Sequence, residues 1–327
     1  MKYQTLGRTG FEISEISLGT WQVGGRWGEN FSHQNADKIL NTAVDQGINF
    51  IDTADVYGDG ESEKAVGRLV RSRSERIYVA TKCGRRLNPH VNASYTPEAM
   101  RGFVEDSLKN MGLETIDLIQ LHCPPTEVYY RPEIFGEFDK LIREGKIQKL
   151  GVSVEKVEEA LKAIEYDNVH TVQIIFNIFR QRPAELFFQQ AVRKNIGIIV
   201  RVPLASGLLS GKFSTGTVFS EGDHRNFNRD GKAFDKGETF SGVNYDLGLE
   251  AVDAIKAIFP EKPLALIALK WILAFEAVSC VIPGASNMEQ LLSNVEASEM
   301  PPLPYSEFNE INEIYTTLIK DQVHHLW

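Results

Sequence analysis

Four side chains can move a proton: Asp52, Lys82 and His122, which follow short apolar runs, and Tyr57, which comes five residues after Asp52. A free tyrosine hydroxyl has a pKa of about 10. An ammonium group held against that hydroxyl favours the tyrosinate, so Lys82 is expected to lower the pKa of Tyr57, while Asp52 pairs with the ammonium. Because such groups titrate as a set, no single pKa belongs to Tyr57. These residue types predict an acid/base site in which Tyr57 exchanges the proton and His122 orients a substrate oxygen.

Short runs rich in β-branched residues alternate with longer helical patterns and supply the elements that must position this site. The runs predicted as strands are Ile16 to Leu18, Phe50 to Asp52, Ile77 to Ala80, Ile116 to Leu121, Leu150 to Val152, Val172 to Phe176, Ile198 to Val200 and Cys280 to Ile282. Strands that alternate with helices through right-handed crossovers favour an α/β fold, a (β/α)8 TIM barrel in one domain over residues 1–327. The alternative is an open doubly wound sheet, but no Gly-x-Gly-x-x-Gly follows any of these strands.

Three further segments surround the predicted barrel. Residues 1–15 are expected to form a β-hairpin that turns at Arg8-Thr9-Gly10. Residues 214–242 form a long loop after strand 7, rich in Gly, Asp, Asn and Lys, and a loop of that length is typical of a lid. Residues 300–327 are expected to form a C-terminal helix and a tail with an exposed Trp327, placed to cap the pocket or an oligomer contact.

Composition limits the classes of partner. The 35 basic and 44 acidic residues give a net charge of −9, which argues against nucleic acid or an anionic membrane as the main partner. The longest apolar stretch, Leu264 to Phe275, is interrupted by Lys270 and is too short to cross a bilayer. The first residues lack the apolar core of a leader peptide, and the three cysteines show no C-x-x-C spacing. These features predict a cytoplasmic protein without a zinc site or a disulfide framework.

The carboxyl ends of the predicted strands are unusually polar. In a barrel enzyme these ends carry the chemistry. They hold Gly19-Thr20-Trp21, Asp52, Lys82-Cys83, His122-Cys123, Ser153, Asn177 and Arg201. Taken singly, Asp52 and Lys82 are also consistent with a structural salt bridge, and His122 with a core histidine. Together at adjacent strand ends they favour an active site, because burying isolated charges costs several kcal/mol.

The order of these motifs resembles the aldo-keto reductase family, in particular its bacterial-type branch, which is similar to channel β-subunits. The resemblance rests on Asp52-x4-Tyr57-Gly58, on Lys82 after an apolar strand, and on His122 after Leu118 to Leu121. Supporting motifs are Leu6-Gly7-x-Thr9-Gly10, Gly151-Val152-Ser153, Pro203 to Lys212 and Ile282-Pro283-Gly284-Ala285-Ser286. The resemblance implies a barrel that holds a nicotinamide dinucleotide across its C-terminal face. The implied reaction is reduction of an aldehyde, ketone or sugar, or oxidation of the matching alcohol, with Tyr57 as acid in reduction and base in oxidation.

The resemblance also implies binding residues. The substrate pocket would contain Trp21, Tyr57, His122 and Cys123. The cofactor would contact Gly19, Thr20, Trp21, Asp52, Ser153, Gln173, Arg201, Pro203, Leu204, Gly207, Leu208, Lys212, Gly284, Ser286, Gln290 and Asn294. Among these, Ser153 and Gln173 match the positions that hold the nicotinamide carboxamide. This chain departs from the family at Val154, where the family commonly has Asn, and at Arg201, where an aromatic residue commonly stacks on the nicotinamide.

The choice of dinucleotide is open at the adenosine end. Many relatives carry a cation after the Ile-Pro-Gly segment to pair with the 2′-phosphate of NADP, whereas this chain reads Ser286-Asn287-Met288-Glu289-Gln290. No cation stands at this end, but Ser286 to Gln290 is expected to open a helix whose N-terminus attracts an anion. The glycine-rich loop from Pro203 to Lys212 is expected instead to approach the pyrophosphate, where Lys212 can reach a phosphate. The resemblance favours NADP(H), with NAD(H) as the alternative.

Two other functions remain open from the sequence. The first is a redox-sensing, cofactor-binding regulatory subunit with little turnover, as some members of the family are. The second is a metal-dependent lyase or hydrolase that uses Asp52 and His122, although the sequence lacks paired His or Glu ligands and no metal is expected. The loops Pro124 to Arg131 and Ser214 to Gly242 contain no motif specific for one carbonyl substrate.

Overall fold

Eight parallel strands form a nearly closed barrel in the computed structural model, which describes residues 1–25 and 30–327. The barrel strands are β3 (Leu18–Gly19), β4 (Phe50–Asp52), β5 (Tyr78–Cys83), β6 (Ile116–His122), β7 (Ile147–Ser153), β8 (Val169–Ile175), β9 (Gly197–Arg201) and β10 (Val278–Val281). They are hydrogen-bonded in chain order, from β3 to β10. The predicted (β/α)8 barrel is confirmed.

The first barrel strand differs from its prediction. It pairs with β4 over Leu18–Gly19, whereas Ile16 forms only an isolated bridge to Val281. A second bridge joins Gly19 to Gly284, and the Ser17 amide donates to the Val281 carbonyl at 2.9 Å. A Cβ on Gly19 would lie 2.8 Å from the Ile282 carbonyl oxygen, so glycine permits this close approach. The barrel is therefore closed between its first and last strands by a few bonds.

Helices separate the strands. They are α1 (His33–Asp45), α2 (Glu61–Ser72), α3 (Pro97–Met111), α4 (Pro132–Arg143), α5 (Val157–Ala163), α6 (Leu186–Arg193), α7 (His224–Phe227), α8 (Tyr245–Ile258), α9 (Leu264–Ile272), α10 (Met288–Glu299), α11 (Tyr305–Ile314) and α12 (Lys320–Val323). Helix α3 begins and ends where its sequence signals indicate. The Thr96 hydroxyl accepts from the Ala99 amide at 3.1 Å, and Gly112 adopts a left-handed φ of 61° at the C-terminal cap.

A hairpin covers the amino-terminal end of the barrel. Its strands, β1 (Tyr3–Thr5) and β2 (Glu12–Ser14), are antiparallel, with Tyr3 opposite Ser14. Leu6, Phe11 and Ile13 pack against Phe50 and other side chains inside the barrel. Each fully buried side chain of this size stabilises the fold by about 1.5–3 kcal/mol. Because apolar side chains fill this end, polar chemistry is confined to the other end.

The segment 214–242 lies over the carboxyl ends of the strands. It contains α7 and two 3₁₀ turns, Lys236–Glu238 and Phe240–Gly242. The His224 ring packs edge-on against the Trp21 ring, with 4.8 Å between the ring centroids. Glu238 forms an ion pair with Arg85, which follows β5 in the chain.

The predicted exposure of Trp327 is wrong. Its side chain is 6% exposed, and the Arg180 guanidinium lies 4.4 Å from the ring centroid. A Cβ on Gly242 would lie 2.3 Å from an atom of the indole ring. Trp327 therefore packs beneath the end of segment 214–242, a long-range contact that no local sequence pattern signals.

Within residues 1–25 and 30–327, no helix is both long enough and apolar enough to cross a membrane.

Candidate active site

A buried lysine joins the predicted catalytic residues. Lys82 Nζ donates to Asp52 Oδ1, to the Thr53 carbonyl at 2.8 Å and to the Tyr57 hydroxyl at 3.3 Å. Lys82 is 1% exposed and Asp52 is 2% exposed. A buried ion pair is tolerated only when its remaining hydrogen-bonding capacity is satisfied. The three bonds of Lys82 meet that requirement and fix the ammonium against the phenol.

The other oxygen of the Asp52 carboxylate is held by two amides. Oδ2 accepts from Gln120 Nε2 at 3.0 Å and from Gln173 Nε2 at 2.7 Å. We call Asp52, Tyr57, Lys82, Gln120 and Gln173 the inner cluster. Parallel pairing brings its members together, because Lys82 lies opposite Gln120 on adjacent strands.

Tyr57 is expected to be a protonated phenol at neutral pH. Burial has the largest effect and raises the pKa of Tyr57, the Lys82 ammonium lowers it, and the net pKa lies above the ordinary value. The predicted lowering by Lys82 has the right sign, but burial, which the sequence did not supply, outweighs it. Burial lowers the pKa of Lys82, but Asp52 and Tyr57 outweigh it and keep the pKa raised. The site pairs a cationic lysine with a neutral phenol, which is a proton donor.

His122 is a neutral imidazole facing Tyr57. Its ring centroid lies 6.1 Å from that of Tyr57, and the two planes meet at 85°. Burial, reinforced by Arg85 and Lys82, holds the pKa of His122 well below its usual value. Within residues 1–25 and 30–327, His122 Nδ1 is buried and has no hydrogen-bond partner. A neutral imidazole offers one donor and one acceptor nitrogen, so His122 retains capacity for a ligand.

Cys123 and Cys83 adjoin the site as protonated thiols. Cys123 Sγ lies 3.5 Å from Ser153 Oγ and 3.5 Å from Arg201 Nη2. Burial raises the pKa of both thiols. Since the thiolate is the reactive form, neither cysteine is activated.

A second cluster lies at the edge of the barrel mouth. Arg201 Nη2 donates to Glu155 Oε2 at 2.9 Å and to the Val154 carbonyl at 3.1 Å. Arg201 Nη1 lies 3.5 Å from Glu238 Oε1, which also accepts from Arg85 Nη1 at 3.1 Å. We call Arg85, Glu155, Arg201 and Glu238 the rim cluster. Its contacts tie Arg201 to two carboxylates.

The rim cluster contains one arrangement with the spacing of a metal site. The ligand atoms of Cys123, Glu155 and Glu238 lie within 4.8 Å of one another. Burial raises the pKa of Glu155 to about 7. Burial also opposes ionisation of Glu238, but Arg85 and Arg201 outweigh it and lower its pKa to about 2. The guanidinium groups already balance the carboxylate charge, which disfavours a further cation.

The loop after β9 carries several of the predicted cofactor residues. Pro203, Leu204, Gly207 and Leu208 lie in or beside a 3₁₀ turn whose backbone is kinked at Ser206 and at Gly207. The Leu208 side chain is fully buried, so only its backbone remains available to a ligand. The Lys212 side chain is 73% exposed, and its ammonium lies 3.8 Å from Glu289 Oε1 at the start of α10. The acidic partner reduces the positive charge that Lys212 presents.

The predicted adenosine end forms a donor site at the start of α10. The Ser286 amide and hydroxyl donate to Gln290 Oε1 at 2.9 and 3.0 Å, and Asn287 caps the helix by accepting from the Gln290 amide at 3.0 Å. Asn294 Nδ2 donates to the Gly284 carbonyl at 3.3 Å. The Ser286 donors already hold one oxygen acceptor, so the residues present suit a phosphate oxygen.

The remaining residues predicted for the site lie at the carboxyl ends of the strands or contact them. Thr20 donates from its amide and its hydroxyl to the Asp52 carbonyl, at 2.9 and 3.0 Å. Gly19 lies at the barrel closure, and Trp21 packs against His224. Asn177 donates to the Val202 carbonyl at 2.9 Å and to Ser241 Oγ of segment 214–242 at 2.8 Å.

Sequence reasoning missed Arg85, Glu155, Glu238 and Asp55. Arg85 and Glu155 follow the ends of β5 and β7 by two residues, so inspecting residues just beyond the strands would have found them. Glu238 lies far along the chain, and no local signal indicates its destination. Asp55 is 1% exposed, and neither of its carboxylate oxygens has a hydrogen-bond partner among the described residues.

Comparisons with known proteins place the chain in a family. The model of the aldo/keto reductase family matches residues 15–316. Aldo-keto reductase YhdN of Bacillus subtilis (strain 168) is 30% identical, over 99% of this chain and 96% of that protein. The L-glyceraldehyde 3-phosphate reductase of Escherichia coli is 28% identical, over 96% of this chain and 92% of that protein. The solved structure of a glycerol dehydrogenase from Gluconobacter oxydans is 28% identical with a TM-score of 0.79, over 97% and 96% of the two chains. The chain belongs to the aldo/keto reductase family, whose members are generally NAD(P)H-dependent oxidoreductases.

Proposed function

We propose that the protein interconverts an aldehyde, ketone or sugar and the matching alcohol, using NAD(P)(H), with Tyr57 as general acid and base. The observation that carries this proposal is the position of Lys82 Nζ, which contacts the Asp52 carboxylate and the Tyr57 hydroxyl at once. This arrangement holds a neutral phenol beside a fixed cation, which stabilises the phenolate left behind when the proton departs.

The inner cluster accounts for the movement of the proton. In reduction, the Tyr57 hydroxyl donates its proton to the developing alkoxide, and Lys82 stabilises the resulting tyrosinate. Asp52 keeps the ammonium in place, because Gln120 and Gln173 hold its second oxygen. His122 orients the carbonyl oxygen through its ring nitrogen. In oxidation, the tyrosinate accepts the proton from the alcohol.

A nicotinamide dinucleotide supplies or accepts the hydride when bound. Ser153 and Gln173 would hold its carboxamide, the loop from Pro203 to Gly207 would lie along its pyrophosphate, and Ser286 would hold a phosphate. The Ser286 donors, which already hold one oxygen acceptor, support this assignment. Asp52, Gly19, Thr20 and Trp21 belong to the same end of the barrel.

NADP(H) is the dinucleotide that we favour, on the family pattern. The charges at the start of α10 weaken that preference, because Glu289 lies near Lys212. NAD(H) is the alternative, and the ratio of the two binding affinities decides between them.

The names of two relatives support a small, hydroxylated substrate. The Escherichia coli relative is named for L-glyceraldehyde 3-phosphate, and the Gluconobacter oxydans structure is a glycerol dehydrogenase. We propose that the substrate of this chain is a small aldehyde, ketone or sugar. We also propose that the protein is located in the cytoplasm.

Calorimetric titration with NADPH and with NADH, followed by turnover assays on matched aldehydes, ketones and sugars, tests the proposal. Tyr57→Phe should keep dinucleotide binding and lose turnover by about 10²–10⁴-fold. Tyr130→Phe, at a tyrosine that is 64% exposed, is the matched control and should keep its activity. Failure to bind either dinucleotide, or full turnover in Tyr57→Phe, would contradict the proposal. Tight binding without turnover on any substrate would instead support the redox-sensing regulatory subunit.

A further inference from the structure

Two guanidinium groups at the barrel mouth converge on a single carboxylate oxygen. Glu238 Oε1 lies 3.1 Å from Arg85 Nη1 and 3.5 Å from Arg201 Nη1. Guanidinium groups match the geometry of carboxylate and phosphate groups and bind them more strongly than they bind neutral acceptors. The arrangement has the groups that an oxyanion site requires, and the Glu238 carboxylate lies between them.

The cations and the anion of this site come from different kinds of element. Arg201 is the last residue of β9, and Arg85 lies just beyond the end of β5. Glu238 belongs to segment 214–242, where Ser206 Oγ donates to its carbonyl oxygen at 2.8 Å. The barrel therefore fixes the two cations, whereas a loop supplies the carboxylate.

The two arginines have unequal sets of partners. Arg201 also binds Glu155, so it keeps one carboxylate when Glu238 is absent. Over the described ranges, Glu238 is the one residue that accepts a hydrogen bond from Arg85. Removing the Glu238 carboxylate leaves Arg85 with no hydrogen-bonded carboxylate and with Glu155, already paired with Arg201, as a nearby counter-charge. That loss is unfavourable unless another anion takes the place of Glu238.

This anion site adjoins the residues that would hold the carbonyl. Arg201 Nη2 lies 3.5 Å from the sulfur of Cys123, the residue after His122. Arg85 and Arg201 are also among the charges that lower the pKa of His122, as expected for groups that share its surroundings. An anion bound here would belong to the molecule whose carbonyl faces His122 and Tyr57.

We propose that Arg85 and Arg201 bind a carboxylate or phosphate group of the substrate, and that Glu238 occupies this position when no substrate is bound. The inference rests on the proposed function and narrows its substrate class to anionic carbonyl compounds. The Glu238 side chain then competes with the substrate anion, so it sets specificity without taking part in the proton transfer.

Matched substrates test the charge requirement. One pair is 4-oxobutanoate and butanal, and the other is glyceraldehyde 3-phosphate and glyceraldehyde, so the two pairs separate carboxylate from phosphate recognition. The native protein should prefer the anionic member of at least one pair in kcat/KM. Arg85→Met should reduce that preference by about tenfold or more, as expected for the loss of a charged hydrogen bond. Glu238→Gln should increase it, because a competing charge is removed.

Arg101→Met provides the control for losing an arginine and its ion pairs. Arg101 binds Glu137 and Glu144 on the outer surface, and its replacement should leave the preference unchanged. Equal kcat/KM within both pairs for the native protein, or an unchanged preference in folded Arg85→Met, would overturn the proposal. In these outcomes turnover of neutral aldehydes persists, so the proposed function survives.

Direct binding covers the case in which no aldehyde is turned over. Calorimetry with succinate, and with succinamide as the neutral counterpart, measures the anion site without catalysis. Binding of succinate alone, lost in Arg85→Met and strengthened in Glu238→Gln, would support the anion site even if the oxidoreductase proposal failed. Equal binding of the two probes, or binding of neither, would overturn it.

Discussion

The inner cluster and the rim cluster both pair cations with carboxylates at the carboxyl ends of the barrel strands, but they are built differently. In the inner cluster, Lys82, Gln120 and Gln173 lie on strands, and Asp52 ends one. In the rim cluster, Arg201 ends a strand, whereas Glu238 comes from the long segment after β9. The strand register therefore fixes the first arrangement, while the second depends on how a distant loop folds back.

This difference separates fixed chemistry from adjustable recognition. The inner cluster is deeply buried and each Asp52 oxygen has a donor, so its geometry cannot change without loss of several bonds. In the rim cluster Glu238 shares its oxygen between two cations and is replaceable by another anion. Substitutions in the two clusters should accordingly differ in which property of the protein they change, as well as in the size of the change.

The largest effect is expected when the inner cluster loses its cation. Lys82→Met leaves the Asp52 carboxylate buried beside amides alone, which should cost about 3–5 kcal/mol of unfolding free energy. Turnover should fall by about 10²–10⁴-fold because Tyr57 loses the charge that stabilises its phenolate. Urea denaturation and steady-state kinetics measure the two losses.

The double variant Asp52→Asn/Lys82→Met sharpens this test. It removes both charges, so it should recover much of the stability without recovering turnover. Recovery of turnover would show that the ion pair serves stability alone.

The next effect, on stability without a loss of turnover, is expected at Asp55, which lies near Lys82 and whose buried carboxylate has no hydrogen-bonded side-chain partner among the described residues. Burial, assisted by Glu63 and opposed by Arg86, raises the pKa of Asp55 to about 7. The folded state then holds a proton that the unfolded state releases at about pH 4, so the contribution of Asp55 to stability falls as the pH rises from about 4 to 7. Asp55→Asn should be more stable than the native protein at pH 8, by on the order of 4 kcal/mol, with little difference at pH 4.

Urea denaturation of both proteins across this pH range measures the difference directly. A stability difference that does not change with pH would contradict the raised pKa of Asp55.

The smallest effect is expected at Arg201 in the rim cluster. Arg201→Tyr restores the aromatic residue common in the family and leaves Glu155 without its guanidinium partner. Glu238 is ionised at both pH 6 and pH 8 and keeps Arg85 as a partner, whereas Glu155, with a pKa of about 7, ionises between them. The variant should therefore lose less stability at pH 6 than at pH 8, where we expect a loss of about 1–3 kcal/mol. The ratio of reductive to oxidative turnover should shift as well, since the family resemblance implies that Arg201 lies beside the nicotinamide and its cation is removed. An unchanged ratio would show that Arg201 does not influence the direction of the reaction.

The sequence predicted most of what the strands determine. The spacing of the apolar residues and the polar ends of the strands predicted the barrel. They also predicted that Asp52, Lys82 and His122 lie at one end of it, because parallel strands finish at the same face. The sequence predicted the direction of the Lys82 effect on the pKa of Tyr57 but not the larger, opposite effect of burial, because burial is a property of the folded site. Glu238 and Trp327 were missed as partners of Arg85 and Arg180 because their contacts join residues far apart in the chain.

The few hydrogen bonds that close the barrel between its first and last strands lie beside the proposed dinucleotide site. Ser17 and Gly19 donate their amides across it, and Gly284 lies opposite Gly19 beside the proposed phosphate site. A dinucleotide held there would contact both sides of the closure at once. Amide hydrogens of this seam should therefore exchange with solvent more slowly in the dinucleotide complex, which makes hydrogen exchange a reporter of occupancy that requires no substrate.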